Sequence, residues 1–125
     1  MNLNQITLPS IDLSISIPFY QQLGLNLIVH TSNDYARFEC PDGDSTFSLH
    51  RVDNLPSGDG IYVYFEIEDL DEYINQLIKK GISIDEMPVD QSWGWRECRL
   101  KDPDGNRLIL FFAGEFRKNP PWKLR

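Results

Sequence analysis

Aspartate, leucine and glycine stand at positions 12, 13 and 24, and again at 69, 70 and 81, a constant offset of 57 residues (12 to 69, 13 to 70, 24 to 81). Ile17 and Ile74 keep that offset, as do Leu25 and Ile82. Each set spells one helix: Asp12 or Asp69 as the N-cap, an apolar stripe, and Gly24 or Gly81 as the stop. The stripe is Leu13, Ile17, Tyr20 and Leu23 in the first copy and Leu70, Ile74 and Leu77 in the second. Pro18 falls inside the first pattern and predicts a weakened or kinked start. Alternation predicts a strand before each helix, at 4–9 and 60–68. Three strands follow each helix, at 25–30, 34–39 and 45–51, then at 82–84, 95–101 and 107–112. The turns "PDG" at 41–43 and 103–105 join the last two strands of each set, slightly out of phase with the helices. Caps, core face, stop and hairpin together describe a duplicated βαβββ unit. The fold class is therefore α+β, in a single domain over 1–125. Module one spans about 1–55, module two about 60–114, and a tail runs over 115–125.

One domain suits a chain of 125 residues, which buries about two-thirds of its unfolded surface and needs no disulfide or structural metal to fold. A net charge of −7 repels phosphate backbones, which argues against nucleic acid as a partner and mildly favours a cationic ligand. No apolar run approaches the ~20 residues of a membrane span, and "MNLNQITLPS" lacks the features of a signal peptide, so the expected location is cytoplasmic. Cys40 and Cys98 are a poor disulfide framework and read as small apolar groups in a reducing compartment. His30, Cys40 and His50 lie ten apart, which is not zinc-finger spacing. No phosphate-binding or dinucleotide glycine pattern is present, and Ser48 has no nucleophile context.

Three stretches carry a family resemblance: "QITLPSIDLSISIPFYQQLGL", "YVYFEIEDLDEYINQLIKKGI" and "WGWRECRLKDPDGNRLILFFAG". With them the chain resembles the vicinal oxygen chelate superfamily of glyoxalase I, bleomycin-resistance proteins and extradiol dioxygenases. The resemblance covers nearly the whole chain and implies two βαβββ modules forming a curved mixed sheet around a cavity. It also implies paired subunits, hence a homodimer, and four strand residues that hold a divalent metal. Carried over one at a time, those positions fall on Gln5, Ser48, Tyr62 and Ile109. The family places His or Gln at the first and third and Glu at the second and fourth. Here the set offers an amide, a hydroxyl, a phenol and a hydrocarbon, with no carboxylate or imidazole to offset an ion's charge. The expectation is that the standard metal and its Lewis-acid chemistry are lost, with no cofactor in their place.

A substitute site could draw on His50, Glu66 and Glu97. The bland reading is a polar cavity lining in which Arg99 neutralises one of the glutamates. Alternation places His50 with Ser48, Glu66 with Tyr62 and Tyr64, and Trp95 with Glu97 and Arg99. Tyr62, Tyr64 and Phe111 with Trp93 and Trp95 could make an aromatic cleft for a flat or cationic ligand; otherwise they fill a small core. "SWGW" (92–95) reads as a flap or a covering loop, and "EFRKNPPWKLR" (115–125) as a basic tail that docks on the body or on a partner subunit. Two functions follow. One is a metal-free small-molecule-binding protein with a cationic or aromatic ligand. The other is a glyoxalase-like lyase or isomerase, or a dioxygenase-related enzyme, with a non-standard metal or acid–base catalysis by His50 with Glu66 or Glu97.

Overall fold

A computed structural model describes all residues, Met1–Arg125. The chain divides into two compact units, Met1–Gly60 with Asp102–Asn106, and Ile61–Lys101 with Arg107–Arg125. In the first unit the order is β1 (Gln5–Ser10), α1 (Leu13–Leu23), β2 (Asn26–Thr31), β3 (Tyr35–Glu39) and β4 (Thr46–Arg51). The strands form one sheet in the order β1-β4-β3-β2, with β1 parallel to β4 and the other pairs antiparallel. Strand alternation gives this sheet an apolar face, Leu8, Ala36, Phe38, Phe47 and Leu49, all buried. The helix stripe Leu13, Ile17, Tyr20 and Leu23 is buried with them, and the Tyr20 ring lies 4.5 Å from Phe47 and 5.9 Å from Phe38. The helix runs unbroken through Pro18, contrary to the expected weak start. Pro18 is on its exposed side, where water can satisfy the Ser14 carbonyl that Pro18 leaves without an N–H. Gly24 ends it at φ 119°, and the amides of Gly24 and Leu25 both return to the Tyr20 carbonyl.

The turn Asp102–Asn106 belongs to this first unit although the sequence places it in the second module. The buried Asp102 carboxylate accepts from Tyr20 OH at 2.5 Å, from the amides of Asp104 and Asn106 at 2.9 Å each, and from Asn106 Nδ2 at 2.8 Å. Asp104 accepts from the Ile11 amide and from Ser16 Oγ, each at 2.9 Å, and Asn106 Nδ2 donates to the Pro9 carbonyl at 3.1 Å.

The second unit repeats the plan with β5 (Tyr62–Glu66), α2 (Leu70–Lys79), β6 (Glu86–Asp90), β7 (Arg96–Lys101) and β8 (Arg107–Phe112), followed by a 3-10 turn over Gly114–Arg117. Its sheet order is β5-β8-β7-β6, again with the first pair parallel. Val63, Cys98, Leu100, Leu108 and Leu110 are buried with Leu70, Ile74 and Leu77 of the helix stripe. Burial pushes the Cys98 thiol up to about 12, so it is an inert core group; both cysteines are free. The strand expected at 82–84 lies instead at Glu86–Asp90. Ile82 is consumed by the helix stop: it is buried and its amide returns to the Leu77 carbonyl, as Leu25 does to Tyr20. Pro88, which discourages a strand assignment, is tolerated because β6 is an edge strand whose register slips between Glu86 and Val89. No helix is long and apolar enough to cross a membrane.

The two N-caps differ. Asp12 accepts from the Ser14 amide at 2.9 Å, whereas Asp69 occupies the N-cap position and makes no side-chain cap bond. The expectation that both aspartates cap is therefore corrected for Asp69, whose backbone at φ −100°, ψ 66° is not the extended conformation that Asp12 adopts. Asp12→Ala should cost about 0.5–2 kcal/mol in urea denaturation, the usual loss of an N-cap bond. Asp69→Ala should cost clearly less; equal losses would show that Asp69 caps in solution.

Candidate functional site

Each sheet has one face turned from its helix, and those faces carry the expected site residues. In the first unit the register places Gln5 beside Thr46, Ser48 beside both Thr7 and Arg37, and His50 beside Tyr35. Gln5 Nε2 donates to Ser48 Oγ at 2.7 Å, the Gln5 carbonyl accepts from Thr46 Oγ1, Ser48 Oγ lies 2.6 Å from Tyr35 OH, and Arg37 Nε donates to Tyr35 OH at 2.8 Å. Ser48 is fully buried, Tyr35 half-buried, and His50 exposed. Burial acts to raise the Tyr35 phenol, but hydrogen bonds from Ser48 and Arg37, with the Arg37 charge, outweigh it and hold the group below its ordinary value of 10.

In the second unit the corresponding face is Tyr62, Tyr64 and Glu66 on β5, Arg107, Ile109 and Phe111 on β8, and Glu97 and Arg99 on β7. Trp95, just before β7, joins this side. Tyr64, Trp95 and Phe111 form an aromatic group. Trp95 stacks on Phe111 at 4.9 Å, and Tyr64 meets Phe111 and Trp95 edge-on at 5.4 and 5.9 Å. Ile109 and Phe111 are buried with Ala113 against Trp95, whereas Tyr62 and Tyr64 are 47% and 44% exposed. Burial first, then the charge of Glu97, raises the Tyr64 phenol above its ordinary range, with Arg99 opposing. Glu97 is 1% exposed and accepts from Arg99 Nη2 and Trp93 Nε1, both at 3.2 Å. Tyr62 lies under two guanidinium groups: Arg99 and Arg107 stand 5.8 and 5.6 Å from its ring centre, and Arg107 Nη1 donates to its hydroxyl at 3.0 Å. A cleft of about 240 Å³ opens beside these groups, lined among others by Tyr62, Glu86, Arg99, Arg107 and Ile109. A larger depression of about 630 Å³ lies beside the first turn of α2. It is an open surface lined by Glu68, Asp71, Glu72, Arg96 and Phe112 among others, and contains none of the expected site residues.

Glu66 has a task the sequence does not announce. It accepts from the amides of Ala113 and Gly114 at 2.8 and 3.0 Å, and Arg117 Nε lies 3.7 Å from it, so it holds the start of the tail. The tail then lays Phe116 on Gly94 of the "SWGW" loop, where a Cβ would come within 2.0 Å of the ring, and Trp122 meets Phe116 at 6.2 Å. Glu66→Ala should free the tail and speed its removal in limited proteolysis while leaving the body intact. An unchanged cleavage rate would show that Phe116 and Trp122 suffice to hold it.

The donor set does not fit the divalent metal that the resemblance implies. Gln5 and Ser48 are committed to each other and to Thr46 and Tyr35, Tyr62 is flanked by two cations, and Ile109 has no donor atom. Within each unit, no three His, Cys, Asp or Glu side chains gather as ligands. His50 lies in the first unit, and Glu66 and Glu97 in the second have separate partners. Tyr35, Arg37 and Arg107 were missed by sequence reasoning. Alternation from Ser48 across the hairpin, and from Ile109 back two residues, would have placed them on these faces.

Comparison with known proteins gives the context for this geometry. The family model described as the Glyoxalase/Bleomycin resistance protein/Dioxygenase superfamily matches residues 2–110. The uncharacterized protein YraH of Bacillus subtilis (strain 168) is 26% identical over 127 residues, covering 89% of this chain and 98% of that one. A lactoylglutathione lyase from Agrobacterium tumefaciens superposes with a TM-score of 0.75 at 19% identity, covering 90% of this chain and 93% of that one. A bleomycin-binding protein complexed with bleomycin superposes at 0.74 and 23% identity, over 90% and 98%. At these identities the likeness to the two solved structures is one of fold.

Proposed function

Because the chain belongs to the Glyoxalase/Bleomycin resistance protein/Dioxygenase superfamily, we propose that it is a cytoplasmic, homodimeric small-molecule-binding protein that works without the family's metal. The observation that carries this reading is the state of the third and fourth ligand positions: Tyr62 between two guanidinium groups, and Ile109 buried in an apolar group with Phe111 and Ala113. A metal ion placed there would meet two guanidinium groups, and neither Tyr62 nor Ile109 would offer it an anionic donor. The Tyr64, Trp95 and Phe111 rings, with Tyr64 half open, supply a platform for a flat ligand. Their one buried carboxylate, Glu97, is already paired with Arg99, so the contacts support the flat-ligand half of the earlier expectation more than the cationic half. The bleomycin-binding protein shows that this fold can serve binding, and the lyase that it can serve catalysis. Acid–base catalysis here would first have to release Glu66 from the tail or Glu97 from Arg99 and Trp93, so binding is the function this geometry supports best. Tyr62 and Tyr64 on the edge strand β5 and Val89 on the opposite edge strand β6, all exposed on the same face, favour a dimer that covers them. Elemental analysis of purified protein should find well under one equivalent of Ni, Zn, Fe or Mn, and light scattering should give twice 14.5 kDa. One equivalent of metal surviving mild chelation, or a monomer at micromolar concentration, overturns the corresponding part.

A further inference from the structure

The Gln5–Ser48–Tyr35–Arg37 chain has a direction, and the direction has a consequence for ligands. Ser48 Oγ is fully buried and has two partners, Gln5 Nε2 and Tyr35 OH. Gln5 Nε2 is a donor, since the amide carbonyl is occupied by Thr46 Oγ1. If Tyr35 also donated to Ser48, the serine proton would be buried without an acceptor, a penalty that natural structures avoid. Ser48 therefore donates to Tyr35. The phenol oxygen then accepts twice, from Ser48 and from Arg37 Nε, and its own proton points out of the chain.

Arg37 adds the second element. In a chain of 19 acidic and 12 basic side chains, it is exposed, makes no ion pair, and turns its Nε to a phenol although Glu39 follows two residues on along the same strand. With Nε spent on Tyr35, its Nη groups remain for a ligand. His50, the cross-strand neighbour of Tyr35, is exposed on the same face.

We propose that Tyr35 and Arg37, held in place by Ser48 and Gln5, form a binding site on the first sheet for the carboxylate of a small organic acid. The guanidinium supplies charge and N–H donors, the tyrosine hydroxyl supplies one further donor next to it, and the buried serine, by donating to the phenol oxygen, leaves that proton for the ligand. This rests on the reading of the chain as a small-molecule binder and adds the chemical class of ligand, an acid rather than a cation.

The test uses three probes of one shape, benzoate, neutral benzamide and cationic benzylamine, titrated into isotopically labelled full-length protein and followed by NMR. Benzoate should shift the Arg37 side-chain Nε–H signal and the amides of 35–37 and 48, at least ten-fold more tightly than either other probe. Arg37→Gln should weaken benzoate at least ten-fold. Tyr35→Phe and Ser48→Ala should each weaken it about three- to ten-fold, the latter without touching the ligand. Arg37 is exposed, so Arg37→Gln should fold normally and decide the matter even if a Ser48 variant does not fold. Equal binding of benzoate and benzamide, or benzoate binding unaffected by Arg37→Gln, overturns the proposal. If all three probes instead shift only Tyr64, Trp95 and Phe111, the carboxylate site fails while the small-molecule reading stands. If none binds anywhere, this proposal is overturned and the broader reading loses its support as well.

Discussion

Replacing Asp102 with alanine should destabilise the protein by about 3–5 kcal/mol, more than any surface substitution in the chain. The carboxylate is buried and accepts four hydrogen bonds, and its removal strands all four donors at once. The worst placed is the fully buried Tyr20 hydroxyl. Burial, then the charge of Asp102, raises that phenol far above its ordinary range, so it stays a donor throughout the working pH range. Loss of Asp102 also loosens the turn whose Asp104 holds Ser16 and the Ile11 amide, and whose Asn106 holds the Pro9 carbonyl. Tyr20→Phe is the informative partner. It removes one donor and leaves the other three bonds of Asp102 intact, so it should cost about 1–2 kcal/mol. Urea denaturation of both variants separates the contributions. Equal losses would mean that the turn's own bonds contribute nothing and that Tyr20 alone needs Asp102.

The sequence showed that turn as "DPDG", a hairpin signal within the second module, and nothing in it indicated that the turn belongs to the first unit. Local patterns report local structure. The 57-residue repeat placed both helices and their buried stripes because cap, period and stop act within a few turns of chain. It misplaced β6 because four further residues, 82–85, intervene between helix stop and strand, and Pro88 then hid the strand. The candidate faces were legible for the same reason as the helices: alternation is a two-residue rule, and Tyr62, Tyr64, Glu97, Arg99, Ile109 and Phe111 do share a face. What each side chain does on that face was not legible. Glu66 looked like a free carboxylate until the tail, more than 40 residues later in the chain, came back to it through the amides of Ala113 and Gly114. Tyr35 and Arg37 went unnoticed because on an alternating strand they are ordinary outward residues. Their meaning comes from Ser48, 13 positions beyond Tyr35, and from the direction of a proton.

Ile109→Glu should cost about 2–4 kcal/mol at neutral pH, and the cost should shrink as the solution is acidified. Ile109 is 1% exposed and buried with Phe111 and Ala113 against Trp95, so a carboxylate there leaves water for hydrocarbon and aromatic neighbours. Its cross-strand neighbours on the same face are Tyr64 and Arg99. Arg99 and Arg107 flank that face, but Arg99 is bound to Glu97 at 3.2 Å and lies 3.8 Å from Glu86, and Arg107 donates to the Tyr62 hydroxyl. Pairing either with a new carboxylate breaks an existing contact, and drawing Arg99 away leaves the buried Glu97 without its cation. Desolvation therefore raises the folded-state pKa of the new glutamate above its unfolded value of about 4.3. With a raised folded pKa the acid is destabilised in its charged form. The electrostatic penalty is complete above that pKa, fades as pH falls toward the unfolded value, and is absent below it, where only the poorer fit of a neutral glutamic acid remains. Stability of variant and parent measured at pH 7 and pH 5 should thus converge on acidification, and Ile109→Gln should show a smaller loss with no such convergence. Should Ile109→Glu match the parent at pH 7, Arg99 will have exchanged partners at no cost, and the face of the second sheet will be open to ionic ligands rather than built for a flat one.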